Sequence, residues 1–137
     1  MIIMSVDYGD VRTGIAVCDK MQILASPVCV ITEKDREKLA DKIKDLAIER
    51  KVERICVGVP QNMDSRYGFR SDTCKEFGAL LNEKTGIQVD FQNERLTTVS
   101  AHNILNTMDV RGKKRKAVVD AVSAVLILED YMNSLKV

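Results

Sequence analysis

Residues 1–19 read MIIMSVDYGDVRTGIAVCD, and the order of apolar, acidic and glycine residues in them constrains how the rest of the chain is arranged. The apolar run Ile2 to Val6 ends on a carboxylate, Asp7, and a second β-rich run, Gly14 to Cys18, follows a turn holding Gly9 and Arg12. Two such runs around a glycine-containing turn predict an antiparallel hairpin. A strand this apolar belongs in a sheet interior. The acid at its end then needs a reason.

The following runs extend the hairpin. Ile23 to Ile31 reads as a third strand, and Pro27 within it suits an edge or a bulge. Thr32 has the look of an N-cap with Asp35 in the capping-box position, and Leu39, Ile43, Leu46 and Ala47 recur at helical spacing to about Arg50. Ile55 to Val59 is continuously apolar, as in a strand covered on both faces, and ends at the loop Pro60-Gln61-Asn62-Met63-Asp64. Cys74, Phe77, Gly78 and Leu81 form a helical stripe that Gly86 terminates. Ile87, Val89 and Phe91 alternate as a fifth strand. Thr97 or Thr98 caps a helix carrying Val99, Ala101, Ile104 and Leu105, and a long helix runs from about Lys114 to Leu135.

The expectation is an α/β fold with a five-stranded mixed sheet flanked by helices, a βββαβαβα core with an extra C-terminal helix, and right-handed crossovers. With no repeat or linker, residues 1–137 read as one domain. Hydrophobic residues at 45% and charged residues at 30% describe a soluble globular chain, without an apolar run near the roughly 18 residues of a membrane span. The N-terminus lacks the pattern of a signal peptide, so a cytoplasmic protein without membrane contact is expected. Lys and Arg number 21 against 20 Asp and Glu, so any attraction for nucleic acid must come from local clusters. Cys18, Cys29, Cys56 and Cys74 have no zinc-site spacing and read as small buried hydrophobes.

Three carboxylates stand out in this layout. Asp7 ends the first strand, Glu94 follows the fifth, and Asp120 sits among Ala117, Val118, Val119, Ala121, Val122, Ala124 and Val125. An ionised Asp on so apolar a helix is costly unless it is solvated in a cleft, paired with a cation or bound to a metal. Ala117, Ala121, Ser123 and Ala124 let that helix approach the sheet closely. Ligands of open α/β sheets lie outside the carboxyl ends of the strands, where Asp7 and Glu94 both fall. Three converging carboxylates suit Mg²⁺ or Mn²⁺, and two such ions about 3.5 to 4 Å apart can clamp a phosphodiester. Simpler roles compete: Asp7 as a turn residue before Gly9, Glu94 as a partner of Arg95 or a cap for the Thr97 helix, Asp120 as a partner of Lys116. His102 is a candidate base but more commonly such a residue is surface packing, and no Ser-His-Asp arrangement is visible.

The blocks DYGDVRTGIAVCD, VGVPQNMD, NERLTTVSA and KKRKAVVDAVSAVLILEDY, in that order over essentially the whole chain, resemble the YqgF or RuvX-like family of pre-16S rRNA nucleases, also described as Holliday-junction-resolvase-like. The resemblance implies a ribonuclease H-like fold and an endonuclease that trims the 5′ end of the small-subunit rRNA precursor, or a resolvase acting on branched DNA. It maps the catalytic and metal-binding acids onto Asp7, Glu94 and Asp120. Asn93 stands where the family usually carries Asp, which implies weaker ion binding. Ser65 replaces the glycine of NMDG and Gly68-Phe69-Arg70 replaces GPR, changes expected in a substrate-facing loop that bear on substrate choice.

Basic residues complete the reading. Arg12 lies in the hairpin turn, Arg66 and Arg70 follow Asn62 and its loop, Arg95 adjoins Glu94, and Arg111 to Lys116 (RGKKRK, including Lys113, Lys114 and Arg115) precedes the helix of Asp120. Such groups supply backbone affinity rather than sequence choice, and cations are not favoured at a helix start by the dipole alone. Aromatic residues at 4% argue against base stacking as the main contact. The expected partners are structured pre-rRNA or branched DNA and ribosomal particles, bound by a monomer or weak dimer. Two other classes stay open: a sugar-kinase or actin-like ATP-binding domain, which normally comes in pairs, and a nonhydrolytic RNA-binding module of ribosome assembly.

Overall fold

The hairpin forms where the apolar runs place it: β1 (Ile3–Asp7) and β2 (Arg12–Cys18) pair antiparallel, with Val6 opposite Ile15 and Asp7 opposite Gly14. The computed structural model describes residues 1–59, 65–93 and 113–135, with side chains at 1–59, 72–92 and 120–135. β3 (Ala25–Thr32) adds antiparallel to β2 at the edge of the sheet. Ile15 pairs with Cys29 and Ala16 with Pro27, so Val28 is the extra residue of a bulge beside the proline. Pro27 therefore has both an edge strand and a bulge, the two places that tolerate its missing N–H.

Helix α1 (Arg36–Glu49) leads to β4 (Arg54–Val59), which lies parallel to β1, and helix α2 (Ser65–Thr85) leads to β5 (Gln88–Asn93), parallel to β4. The strand order is β3-β2-β1-β4-β5, with β1 central as its apolar run requires. Helix α3 (Lys113–Leu135) closes the described chain. Among the described residues no helix is long and apolar enough to cross a membrane.

Strand alternation sorts the core onto two faces. Met4, Val6, Ile15, Ile55, Val57 and Val59 pack with Leu39 and Ile43 of α1 and Phe77 and Leu81 of α2. Ile3, Ala16, Cys18 and Cys56 pack on the opposite face with Ala124, Ile127, Leu128, Tyr131 and Met132 of α3. β4 is buried along nearly its whole length because both layers cover it.

Several boundaries differ from the sequence reading. β2 begins at Arg12 rather than Gly14, because Arg12 pairs with Thr32 of β3, so Arg12 stands on a strand and not in the hairpin turn. β3 begins at Ala25 rather than Ile23, because the Asp19 carboxylate accepts the N–H groups of Ile23 and Leu24 at 2.7 and 3.2 Å and holds both in the turn, exposed. The N-cap of α1 is Asp35 rather than Thr32: Thr32 pairs with Arg12 at the end of β3, and Asp35 Oδ1 accepts from the N–H groups of Glu37 and Lys38 at 2.9 and 3.2 Å. Helix α2 begins at Ser65, so Ser65 and Gly68-Phe69-Arg70, expected in a loop, are helical. No proline interrupts the chain between Pro60 and Thr85, and a single glycine costs a helix only about 1 kcal/mol. The helix expected after Thr98 lies outside the described residues. Gly86 ends α2 as expected, with φ of +71° and its N–H on the carbonyl of Asn82.

At the amino edge of the parallel strands a polar group ties α3 to the sheet. Arg54 Nη1 donates to the Tyr131 hydroxyl at 3.3 Å, and that hydroxyl donates to Asp90 Oδ2 in a short hydrogen bond. Burial first, and then the Asp90 carboxylate, push the Tyr131 phenol up to about 12, while the phenol's hydrogen bond holds Asp90 below its ordinary value. A phenol whose pKa is higher folded than unfolded stabilises the protein fully below about pH 10 and loses that contribution as pH rises from 10 to 12. Thermal melts of the wild type are expected to fall more steeply over pH 10–12 than those of Tyr131→Phe. Parallel curves would show that ionisation of this hydroxyl is not linked to folding.

Candidate active site

The α3 face carries the even-numbered residues of β2 and β4 and the odd-numbered residues of β1. Ile3, Ser5 and Asp7 therefore share the side that α3 covers. Ser5, fully buried, donates its hydroxyl to the Ala124 carbonyl at 2.5 Å and fixes the helix against the strand. Asp7 lies two residues further along β1, about 6.6 Å on, and Asp120 lies four residues back along α3, about 6 Å. The two displacements run the same way, since Tyr131 meets Arg54 at the other end, opposite Ile3. Asp7 and Asp120 thus arrive at one edge of one face.

Gly14 shows how close the elements come. It faces Asp7 across the β1–β2 ladder, and a Cβ added there would lie 2.2 Å from the Asp120 carbonyl oxygen and 2.8 Å from its carbonyl carbon. No other residue lets the α3 backbone pass this near to β2. Of the small residues read from the sequence as permitting a close helix, Ser123 and Ala124 are buried and the Ala121 backbone lies beside Gly14, while the side chain of Ala117 lies outside the described residues.

The described partner of Asp120 is Arg12. Its Nε donates to Asp120 Oδ2 at 2.8 Å, an ion pair between residues 108 apart in sequence. The Asp120 side chain is 22% exposed and that of Arg12 42%, so the pair lies at the rim of the covered face. An ion pair this open contributes less than about 1 kcal/mol to stability. Its importance is electrostatic: the apolar helix carries an acid because a cation from β2 meets it. Lys116, the alternative partner one turn back, has its side chain outside the described set.

Tyr8, next after Asp7, stacks on Phe77 of α2 with ring centroids 4.2 Å apart and planes 6° from parallel. The turn that follows Asp7 is thereby anchored to the opposite layer. Sequence reading passed over Tyr8, and only its place beside Asp7 in the quoted stretch pointed to it.

Glu94, Arg95, Asn62, His102 and Arg111 lie outside the described residues. Asn93, the neighbour of Glu94, ends β5 opposite Val59, at the same carboxyl edge of the sheet as Asp7. Lys113, Lys114, Arg115 and Lys116 form the first turn of α3, and Arg66 and Arg70 stand on the first two turns of α2. Among the described residues no three His, Cys, Asp or Glu side chains gather around one point; the strand and helix registers carry Asp7 and Asp120 to the same edge of the α3 face. This donor set is carboxylate oxygen, which fits a hard divalent cation. Three of the thiols are poor competitors for such a role, because burial pushes Cys18, Cys29 and Cys56 up.

A mixed five-stranded sheet with aspartates at the carboxyl edge defines an α/β domain of the ribonuclease H-like kind. The fold matches RuvC of Thermus thermophilus in complex with a Holliday junction substrate at a TM-score of 0.63 and 10% identity, over 98% of this chain and 95% of that one. It matches the Fowlpox virus resolvase in complex with Holliday junction DNA at 0.60 and 13% identity, over the whole of both chains. The chain belongs to the RuvX family, described as Holliday junction resolvase, whose model matches residues 1–134. It is 41% identical over 134 residues to a Heliobacterium modesticaldum protein named "Putative pre-16S rRNA nuclease", covering 98% of this chain and 90% of the relative. A protein of the same name from Lachnospira eligens is 40% identical over 137 residues, 98% of each chain.

Proposed function

We propose that this protein is a metal-dependent endonuclease that processes the 5′ end of the 16S rRNA precursor in the cytoplasm, as one domain spanning residues 1–137, with Asp7, Glu94 and Asp120 as its catalytic acids. The observation that carries the reading is the convergence of Asp7 and Asp120 across Gly14 at the carboxyl edge of the sheet. The names of the relatives supply the substrate class. Along β5, Gln88, Asp90 and Gln92 alternate onto the α3 face, and the next residue of that parity in the sequence is Glu94.

Each group has a definable task. Asp7 is mounted on the central strand, whose neighbours on both sides hold it rigid, and Asp120 on a helix locked by the Ser5 contact. The two carboxylates, with Glu94, would hold Mg²⁺ or Mn²⁺, and such an ion supplies Lewis acidity and an activated water for phosphodiester hydrolysis. Arg12 at the rim, and the basic first turns of α2 and α3, supply cations for the phosphate backbone. With aromatic residues at 4%, recognition of backbone shape fits better than base stacking.

A second reading, cleavage of branched DNA, is favoured by the family description and by the junction-bound relatives in fold. Labelled precursor rRNA and a four-way DNA junction, each incubated with Mg²⁺, Mn²⁺ or EDTA, separate the two. Cleavage of the rRNA near its mature 5′ end, dependent on metal, is the expected result. Cleavage of the junction alone would move the assignment to the resolvase. Binding without any metal-dependent cut would leave an assembly module.

A further inference from the structure

We propose that Arg12 is a resident counter-cation that a divalent ion must displace from Asp120, and that the displaced guanidinium then takes a phosphate of the bound strand. The inference rests on the reading of Asp120 as a metal ligand. Its starting point is the 2.8 Å hydrogen bond from Arg12 Nε to Asp120 Oδ2. That oxygen already faces a positive group. A divalent ion held by the same carboxylate would bring two further charges within a few ångströms of the guanidinium, close enough for repulsion to count even at an open rim. The carboxylate therefore has two alternative occupants.

The geometry makes the exchange a side-chain motion. Arg12 is the first residue of β2, paired with Thr32, and its side chain is on the solvent side of the pair, being the more exposed of the two. The contact uses Nε, so the two terminal amino groups take no part in it. Rotation outward exposes the full planar fork, the group best shaped for bidentate contact with a phosphate. Strand and metal should then assist each other. A phosphate that captures Arg12 uncovers Asp120 for the ion, and an ion on Asp120 releases Arg12 for the phosphate, by equal factors as linkage demands.

The test measures Mn²⁺ binding to the intact protein by the electron paramagnetic resonance of the free ion, without substrate. Arg12→Gln is expected to bind Mn²⁺ about fivefold more tightly than wild type, the scale of losing one competing ion pair. An arginine that merely braced the site would instead give weaker binding on removal. Lys42→Gln is the charge control: Lys42 pairs with Glu33 at 3.0 Å, and Glu33 donates its N–H to the Val11 carbonyl beside Arg12, so the same charge is lost nearby without touching Asp120. It is expected to leave Mn²⁺ affinity within about twofold of wild type, since exposed charges are screened. In parallel, anisotropy of a labelled four-way junction in the presence of Ca²⁺ should show weaker strand binding by Arg12→Gln. Unchanged or weaker Mn²⁺ binding by Arg12→Gln, or equal tightening by Lys42→Gln, overturns the exchange while leaving the metal site in place. Wild-type Mn²⁺ binding by Asp120→Asn overturns the metal-ligand reading, and the exchange with it.

Discussion

Asp120→Asn and Asp7→Asn are each expected to lower metal-dependent cleavage by about 10²–10³-fold or more, while the protein unfolds within about 1 kcal/mol of wild type. The two halves of this expectation have separate causes. Asparagine keeps an oxygen that can accept the Arg12 Nε–H, so the contact at 2.8 Å survives as a neutral hydrogen bond and the rim of α3 is little disturbed. The packing that holds α3 lies elsewhere, in Ala124, Ile127 and Leu128 and in the Ser5 hydroxyl bond. The amide, however, brings neither the charge nor the second equivalent oxygen that a hard cation requires. Initial cleavage rates at saturating Mg²⁺, set beside urea denaturation of the same preparations, check both halves. Full activity in either variant would remove that acid from the catalytic set. Loss of activity together with a large loss of stability would make the acid structural instead.

Gly14→Val is expected to destabilise the protein by about 2–4 kcal/mol and to abolish cleavage as well. The atoms a side chain would strike are the carbonyl oxygen and carbon of Asp120, at 2.2 and 2.8 Å, both of them helix backbone. No rotamer change can clear them. The helix must move away from β2, and the layer built from Ile3, Ala16, Cys56, Ala124 and Leu128 opens with it. Because Gly14 is the ladder partner of Asp7, the same displacement separates Asp120 from Asp7. Urea denaturation and the cleavage assay should fail together. A Gly14→Val protein of wild-type stability would mean that α3 stands further from the sheet than described.

The hairpin and its carboxylate could be read from residues 1–19 because apolar alternation and glycine-containing turns are local signals. The edge position of β3 was legible for a similar reason: one proline restricts where a strand can lie. The start of α1 was not. Thr32 and Asp35 both have capping side chains, and the choice fell to Asp35 because β3 kept Thr32 paired with Arg12, a contact across 20 residues that no local pattern reports. The start of α2 was missed because Ser65 to Thr73 lacks an apolar stripe, although nothing in it forbids a helix.

By itself, then, the sequence determined the strands, the central place of β1, the residue types of the candidate site, and the family to which those blocks belong, since periodicity, chemistry and motif order are properties of the chain. Only the tertiary structure decided that Asp120 meets Arg12, that Gly14 is the point of closest approach, and that Asp7 and Asp120 share a face. Those facts depend on the register of a helix more than a hundred residues from the strand it covers. Register over that distance is set by the packing of the whole α3 layer and by the buried Ser5 hydrogen bond, which exist only after the chain has folded.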